Sequence, residues 1–252
     1  MTAVTYRTQE GEGTRHPVVV LLDVDNTLLD NDRVTADLRR HLEQEVGPER
    51  QKRYWEIFEQ IRTELGYADY LGALQRYRLE NPYDFHLLTV SSFLINYPFA
   101  TRLYPDSLDA VEHLRGFGPV VILSDGDVVF QPHKVERSGL FDAVEGHVLI
   151  YVHKERALED VERRYPADHY ILVDDKLRLC AAIKAAWGAR VTTVFPRQGH
   201  YARDPKMLAA YPPADLAIDR IGDLLRTDRE ALVLAARARL EKPGRAGKIN
   251  GG

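Results

Sequence analysis

The chain has 252 residues, of which 44% are hydrophobic and 29% are charged, as in an ordinary soluble globular protein. Its formal net charge of −4 gives no general electrostatic reason to bind nucleic acid, and its single cysteine, Cys180, excludes an intramolecular disulfide and favours a reducing compartment. Residues 1–16 lack the apolar stretch of a signal peptide and no run approaches the roughly 20 apolar residues of a membrane helix, so we expect a cytoplasmic protein without nucleic-acid or membrane partners.

The predicted elements begin with a strand over residues 18–22. This run is short, continuously apolar and β-branched, which is typical of a strand buried on both faces of a parallel sheet. Similar runs predict strands over residues 120–123, 170–173 and 191–195, and helical patterns follow the second strand at 128–138, 155–165 and 177–187. Alternation of this kind predicts right-handed βαβ units and an open α/β sheet.

One long interval interrupts this alternation. Helical patterns at residues 34–46, 49–65, 68–79 and 84–94 follow the first strand, and the core pattern resumes with a helix at 106–115. We therefore expect an α/β fold, with a Rossmann-like three-layer core and an inserted α-helical cap. The predicted core covers residues 1–30 and 102–240, the cap covers 31–101, and residues 241–252 have the composition of a disordered tail.

Polar residues follow three of the predicted strands directly. Their sequences are Asp23-Val24-Asp25-Asn26-Thr27-Leu28, Ser124-Asp125-Gly126-Asp127 and Asp174-Asp175-Lys176. Ligands of an open α/β sheet bind beyond the carboxyl ends of its strands, so we expect these groups to converge on one crevice. Crowded carboxylates repel one another, and a bound divalent cation relieves that repulsion. Ligands that are all oxygen favour Mg²⁺ over zinc.

These residues resemble the haloacid dehalogenase superfamily. The segment from Asp23 to Thr27 is similar to its first motif, an Asp-x-Asp-x-Thr sequence after an apolar strand. Ser124 resembles the second motif, Lys154 the third, and the pair Asp174-Asp175 the fourth, in the same order along the chain. The resemblance covers about residues 18–220, and it implies a phosphatase-type hydrolase whose helical C1 cap lies between the first two motifs.

The resemblance also implies a role for each residue. Asp23 is the expected nucleophile, and Asp25 the group that protonates the leaving oxygen and then activates water. The Asp23 carboxylate, the Asp25 backbone carbonyl and Asp174 are expected to hold Mg²⁺, with Asp175 behind them or bound through water. Phosphate oxygens are expected to bind Ser124, the backbone N–H groups of Asp125 and Gly126, and Lys154.

Several positions can be interpreted in more than one way. Ser124 could instead cap the following helix, and Lys134 competes with Lys154 for the role of the catalytic lysine. Lys176 is expected to face solvent. The tyrosines between residues 54 and 104, together with Trp55, either line a substrate pocket or pack a helical bundle or dimer interface.

Asp25 separates the candidate functions. A halide leaving group needs no proton, so an acid two residues after the nucleophile favours a phosphatase over a 2-haloacid dehalogenase. The expected substrate is a small-molecule phosphate ester, and the protein is expected to be a monomer or homodimer. The same residues are also compatible with a phosphomutase and with a catalytically silent phosphate-binding regulatory protein.

Overall fold

The computed structural model describes residues 14–240 of the chain, and side chains as far as residue 235. A six-stranded parallel sheet forms its centre, in the order β3-β2-β1-β4-β5-β6. The strands are β1 (His16–Leu22), β2 (Val120–Asp125), β3 (Val148–Tyr151), β4 (Ala167–Val173), β5 (Val191–Pro196) and β6 (Leu216–Ile218). Leu22 at the end of β1 pairs in register with Ile122 on one side and Val173 on the other, so these three strands end close together.

Helices cover the sheet and fill the interval between β1 and β2. The α-helices are α1 (Asn31–Val46), α2 (Pro48–Leu65), α3 (Tyr70–Glu80), α4 (His86–Ile95), α5 (Ser107–Arg115), α6 (Phe130–Arg137), α7 (Leu140–Ala143), α8 (Leu158–Arg164), α9 (Leu177–Trp187), α10 (Pro205–Ala210) and α11 (Arg229–Leu240). Short 3-10 helices lie at Phe99–Arg102, Lys154–Arg156, Gly188–Arg190, Tyr201–Arg203 and Ile221–Arg226.

Both faces of the sheet are buried in apolar cores. Val18, Val20 and Leu22 of β1 belong to one core, which continues into the helices between β1 and β2. Val19 and Leu21 point to the opposite face, because successive side chains of a strand alternate, and they pack with α8 and α9. Helices on both faces of a parallel sheet confirm the predicted α/β, Rossmann-like fold.

The segment between β1 and β2, called the insertion below (residues 31–101), leaves and rejoins the sheet at one place. Leu29 and Leu103 form an antiparallel β-bridge. Beside it, the Asp30 N–H donates to the Arg102 carbonyl at 2.8 Å, and the Tyr104 N–H donates to the Leu28 carbonyl at 2.9 Å. The two chain crossings therefore run side by side, and the division of the chain into a core and a cap stays a prediction.

The differences from the predicted elements are local. Strands β3 and β6 were not predicted, and they have only four and three residues. Helix α8 starts later than predicted because Lys154–Arg156 form a separate 3-10 turn. The predicted tail at 241–252 lies outside the described residues. Within residues 14–240, no helix combines the length and the apolar character that crossing a bilayer requires.

Candidate active site

Three aspartates meet where β1 and β4 end. Asp23 directly follows β1, and its N–H donates to the Val173 carbonyl at 3.0 Å. Asp174 and Asp175 follow β4, and all three side chains are buried. One carboxylate oxygen from each of the three aspartates lies within 4.8 Å of those of the other two. The parallel register of the sheet therefore joins the first and fourth sequence motifs, as expected.

Lys154 lies against this aspartate cluster. It begins a 3-10 turn after β3, and its fully buried ammonium donates to Asp23 Oδ1 at 2.6 Å and lies 2.7 Å from Asp174 Oδ2. Burial alone would lower the pKa of Lys154, but the neighbouring carboxylates, Asp174 foremost, outweigh burial and raise that pKa well above its usual value. Lys154 is therefore a fixed cation beside Asp23.

Asp175 is the member of the cluster whose carboxylate has no hydrogen-bond donor. Among the described residues, none donates a hydrogen bond to either of its buried carboxylate oxygens. Burial, together with the charges of Asp23 and Asp174, raises the pKa of Asp175 well above its usual value, although the charge of Lys176 opposes that rise. A buried carboxylate without hydrogen-bond donors is costly, and a nearby cation reduces the cost. The oxygen donors of the three aspartates thus fit a hard divalent cation.

Asp25 has a different partner from Asp23. Its Oδ1 and Oδ2 accept hydrogen bonds from Lys134 Nζ at 2.7 and 2.9 Å. Lys134 lies on α6, is only 1% exposed, and also donates to Asn31 Oδ1 at 3.0 Å. Both lysines that the sequence offered for the catalytic role therefore lie at the site. Lys154 donates a hydrogen bond to Asp23, and Lys134 donates hydrogen bonds to Asp25.

Residues at the end of β2 and directly after it form the third side of the site. Ser124 Oγ accepts a hydrogen bond from Gln131 Nε2 at 2.9 Å. Ser124 does not cap α6, because Asp127 Oδ1 accepts the N–H groups of Val129 and Phe130 at the start of that helix. The expected free N–H of Gly126 is engaged instead, since it donates to a carbonyl of β3 at 3.0 Å.

Asp125 is tied to the turn that carries Lys154. Its Oδ1 accepts the Lys154 backbone N–H at 2.7 Å, and its burial raises the pKa of its carboxyl group. The side chain thereby fixes the 3-10 turn against the end of β2. Its proposed contribution to phosphate binding, through the backbone N–H, stays a prediction.

Two residues have contacts that the sequence did not assign. Thr27 Oγ1 accepts the Asp175 N–H at 3.1 Å and donates to Asp23 Oδ2 at 3.4 Å, so it joins the ends of β1 and β4. Its place in the Asp-x-Asp-x-Thr motif was the sequence feature that could have identified it.

Lys176 is half-buried rather than facing solvent. Burial would lower its pKa, but nearby carboxylates, led by Asp23, raise it above the usual value.

A cavity of about 860 Å³ opens between the insertion and the ends of the strands, bordered by Asp25, Asp125 and Lys176. Its walls include three of the aromatic residues noted in the sequence, Trp55, Tyr67 and Tyr70, and also the basic side chain of Arg62. Tyr54 and Tyr77 are instead buried in the core of the insertion, and Trp55 and Tyr70 both border the cavity and belong to that core. These aromatic residues therefore pack the helices of the insertion, and a role in binding substrate stays a prediction.

Comparison with known proteins identifies relatives of this architecture. The profile of the haloacid dehalogenase-like hydrolase family matches residues 18–186. A crystal structure of a haloacid dehalogenase-like hydrolase from Burkholderia xenovorans LB400 is 66% identical, covers 84% of this chain and 99% of its own, and superposes with a TM-score of 0.81. No curated protein matches the sequence.

More distant solved structures share the fold alone. The HAD-hydrolase YfnB from Bacillus subtilis, bound to magnesium, is 16% identical over 84% of this chain and 98% of its own, with a TM-score of 0.54. An L-2-haloacid dehalogenase from Xanthobacter autotrophicus, with chloropropionic acid covalently bound, is 17% identical over 82% and 96%, with a TM-score of 0.55.

Proposed function

The chain belongs to the haloacid dehalogenase-like hydrolase family, and on that premise we propose that it is a Mg²⁺-dependent phosphatase of small phosphate monoesters. The family match confirms the resemblance seen in the sequence motifs, and the protein is an enzyme of the hydrolase class. The observation that carries the finer proposal is Asp25, an acid two residues after Asp23 that borders the large cavity.

Asp23 is the proposed nucleophile. One carboxylate oxygen attacks phosphorus, the bond between phosphorus and the ester oxygen breaks, and an aspartyl phosphate forms. Lys154, 2.6 Å from Asp23 Oδ1, neutralises negative charge at the point of attack. Ser124 at the end of β2 is proposed to hold a phosphate oxygen, and Gln131 fixes its hydroxyl group.

Asp25 is the proposed acid and base. It gives a proton to the ester oxygen as that oxygen leaves. In the second step water attacks the phosphorus of the aspartyl phosphate, Asp25 takes the proton of that water, and the bond to Asp23 breaks. The sum of the two steps is ester and water converted to alcohol and phosphate, with both aspartates restored.

Mg²⁺ is the proposed cofactor. Asp23, Asp174 and the Asp25 carbonyl are the predicted ligands, and the Asp175 carboxylate, to which no described residue donates a hydrogen bond, gives a fourth oxygen source in the same cluster. A bound Mg²⁺ would reduce the repulsion between the anionic nucleophile and the anionic phosphate. The burial of Asp175 within the cluster is compatible with a direct contact to the ion as well as with a contact through water.

A haloacid dehalogenase is the main competing function, since some solved structures with this fold have that activity in their names. Halide departs without a proton, so that reaction does not use Asp25 as an acid. A phosphomutase and a silent binding protein differ from a phosphatase in the fate of the phosphoryl group, which an assay separates.

The test measures released phosphate from a panel of phosphate monoesters, with Mg²⁺ and with a chelator, and chloride released from 2-chloropropionate. We expect phosphate release that requires Mg²⁺, no chloride, and loss of activity in Asp23→Asn. Asp168→Asn, which alters an exposed aspartate paired with Arg15, is the matched control and should retain activity. Full activity in Asp23→Asn, or chloride release, would contradict the proposal.

A further inference from the structure

We propose that Lys134 is a positioning residue that holds the Asp25 side chain in place, so that its carboxyl group gives its proton to the leaving oxygen and its carboxylate then accepts the proton of the attacking water. The inference rests on the proposed phosphatase function. It concerns a lysine at the site that the four sequence motifs do not include.

Helix α6 directs two polar side chains at the site from its buried face. Phe130, Gln131, Lys134 and Val135 are its buried residues. Gln131 and Lys134 are three residues apart, so they project from the same side of the helix. Gln131 reaches Ser124 Oγ at 2.9 Å, while Lys134 reaches Asp25.

The contacts of Lys134 leave no donor for a substrate. A lysine ammonium has three N–H groups, and Lys134 has three acceptors within 3.0 Å: both Asp25 oxygens and Asn31 Oδ1. The ammonium is buried and lies 5.8 Å from the centre of the Phe130 ring. Of these contacts, the ones with Asp25 are those that connect Lys134 to a proposed reacting group.

Two simultaneous contacts fix a carboxylate more tightly than one contact does. Lys134 bonds to both oxygens of Asp25, while Asn31, the first residue of α1, holds the ammonium from the side of the insertion. Without Lys134, the remaining side-chain contact of Asp25 is a long one, 3.5 Å from Gln131 Nε2. Proton transfer needs donor and acceptor within hydrogen-bond reach, so a mobile Asp25 is a poorer acid.

The dependence of kcat/KM on the leaving group distinguishes a loss of acid catalysis from general structural damage, which should lower kcat/KM equally for all esters. Departure of 4-nitrophenolate needs little help from an acid, whereas departure of phenolate or of benzyl alkoxide needs a proton. We expect Lys134→Met to lower kcat/KM for benzyl phosphate by about 10- to 100-fold, a part of the contribution of a positioned acid. For 4-nitrophenyl phosphate the expected decrease is less than about threefold, since that step makes little use of the acid.

A second comparison tests whether Lys134 acts through Asp25. In an Asp25→Asn background, Lys134→Met should have no further effect on the leaving-group dependence, as expected of two residues that act as a unit. Lys134→Gln, which keeps N–H donors and loses the charge, covers the case in which the methionine variant does not fold. Lys184→Met is the matched control, because Lys184 pairs with Asp215 at 2.8 Å and contacts no site carboxylate.

The outcomes separate the two proposals. Equal losses for phenyl, benzyl and 4-nitrophenyl phosphate, or an undiminished effect of Lys134→Met in the Asp25→Asn background, would overturn the role of Lys134 while leaving the phosphatase intact. Absence of phosphate release by the unaltered protein from every ester would instead contradict the proposed function.

Discussion

Replacing Asp175 by asparagine should make the metal-free protein more stable, whereas the same change at the neighbouring Asp174 should make it less stable. The two aspartates are adjacent in sequence, equally buried and part of one cluster. They differ in their partners: Asp174 lies 2.7 Å from the ammonium of Lys154, and Asp175 has no donor among the described residues.

The expected magnitudes follow from these partners. A buried polar group without a hydrogen-bond partner costs about 1–3 kcal/mol, and the neutral amide of Asp175→Asn recovers a part of that. Asp174→Asn removes one of the two close carboxylates from a buried ammonium and should cost about 1–3 kcal/mol, since Asp23 remains as the other. For a chain of this size 1 kcal/mol corresponds to about 2–4 °C in Tm. Asp174→Asn should therefore lower Tm by about 2–12 °C, and Asp175→Asn should raise it by less than that.

Thermal denaturation at pH 8 in a chelator measures both shifts, and a Mg²⁺ titration adds the test of the metal. A ligand at 100 times its Kd stabilises the native state by about 2.7 kcal/mol, or about 5–11 °C here. We expect that gain in the unaltered protein and in the exposed control Asp168→Asn, and its loss in Asp174→Asn and Asp175→Asn.

The reasoning fails if Asp175→Asn destabilises the metal-free protein as much as Asp174→Asn does. That result would mean that the Asp175 carboxylate is already compensated. An undiminished stabilisation of Asp175→Asn by Mg²⁺ would instead remove Asp175 from the set of ligands.

Gly199 has a φ of +69° and its Cβ would lie 2.5 Å from Asn26 Cβ, so Gly199→Ala should lower Tm more than Gly139→Ala, which has a φ of +83° but no described atom within 4 Å. Equal Tm losses in the two variants would show that the close contact with Asn26 does not contribute to the destabilisation by Gly199→Ala. Burial alone would raise the pKa of Asp37, but hydrogen bonds, led by that from Tyr97 Oη at 2.6 Å, lower it. Ionised Asp37 therefore stabilises the folded state above the pKa of about 3.9 that it has in the unfolded chain, and this contribution is lost as pH falls through its folded pKa. Urea unfolding should show Asp37→Asn less stable by about 1–3 kcal/mol at pH 7, with the difference fading toward pH 3; a constant difference would contradict the ionised contact.

The sequence was sufficient to predict four of the six strands of the sheet and the meeting of Asp23 with Asp174. Both follow from one rule, because apolar strands of a parallel sheet end at the same edge and the residues directly after them are fixed in place. Lys154 was predictable only through the family motif, since it lies on a 3-10 turn with no pattern of its own.

The contacts of the two other lysines could not be predicted in the same way. The pairing of Lys134 with Asp25 joins residues 109 positions apart and depends on how closely α6 packs against the end of β1. Lys176 follows two aspartates in a polar segment, and local sequence does not tell a solvent-facing lysine there from one held by their charges. Both contacts depend on tertiary packing, which no local pattern records.

The paired crossings at Leu29 and Leu103 have a consequence for how this protein tolerates change. The chain leaves the sheet and returns to it through two neighbouring, hydrogen-bonded segments. The ends of the insertion are therefore as close together as the ends of a tight turn. The entropy of closing a loop grows only slowly with its length, so a longer or shorter helical segment grafted between these two leucines should disturb the sheet little. The walls of the cavity that come from the insertion can thus be exchanged while the chemistry at the strand ends stays in place.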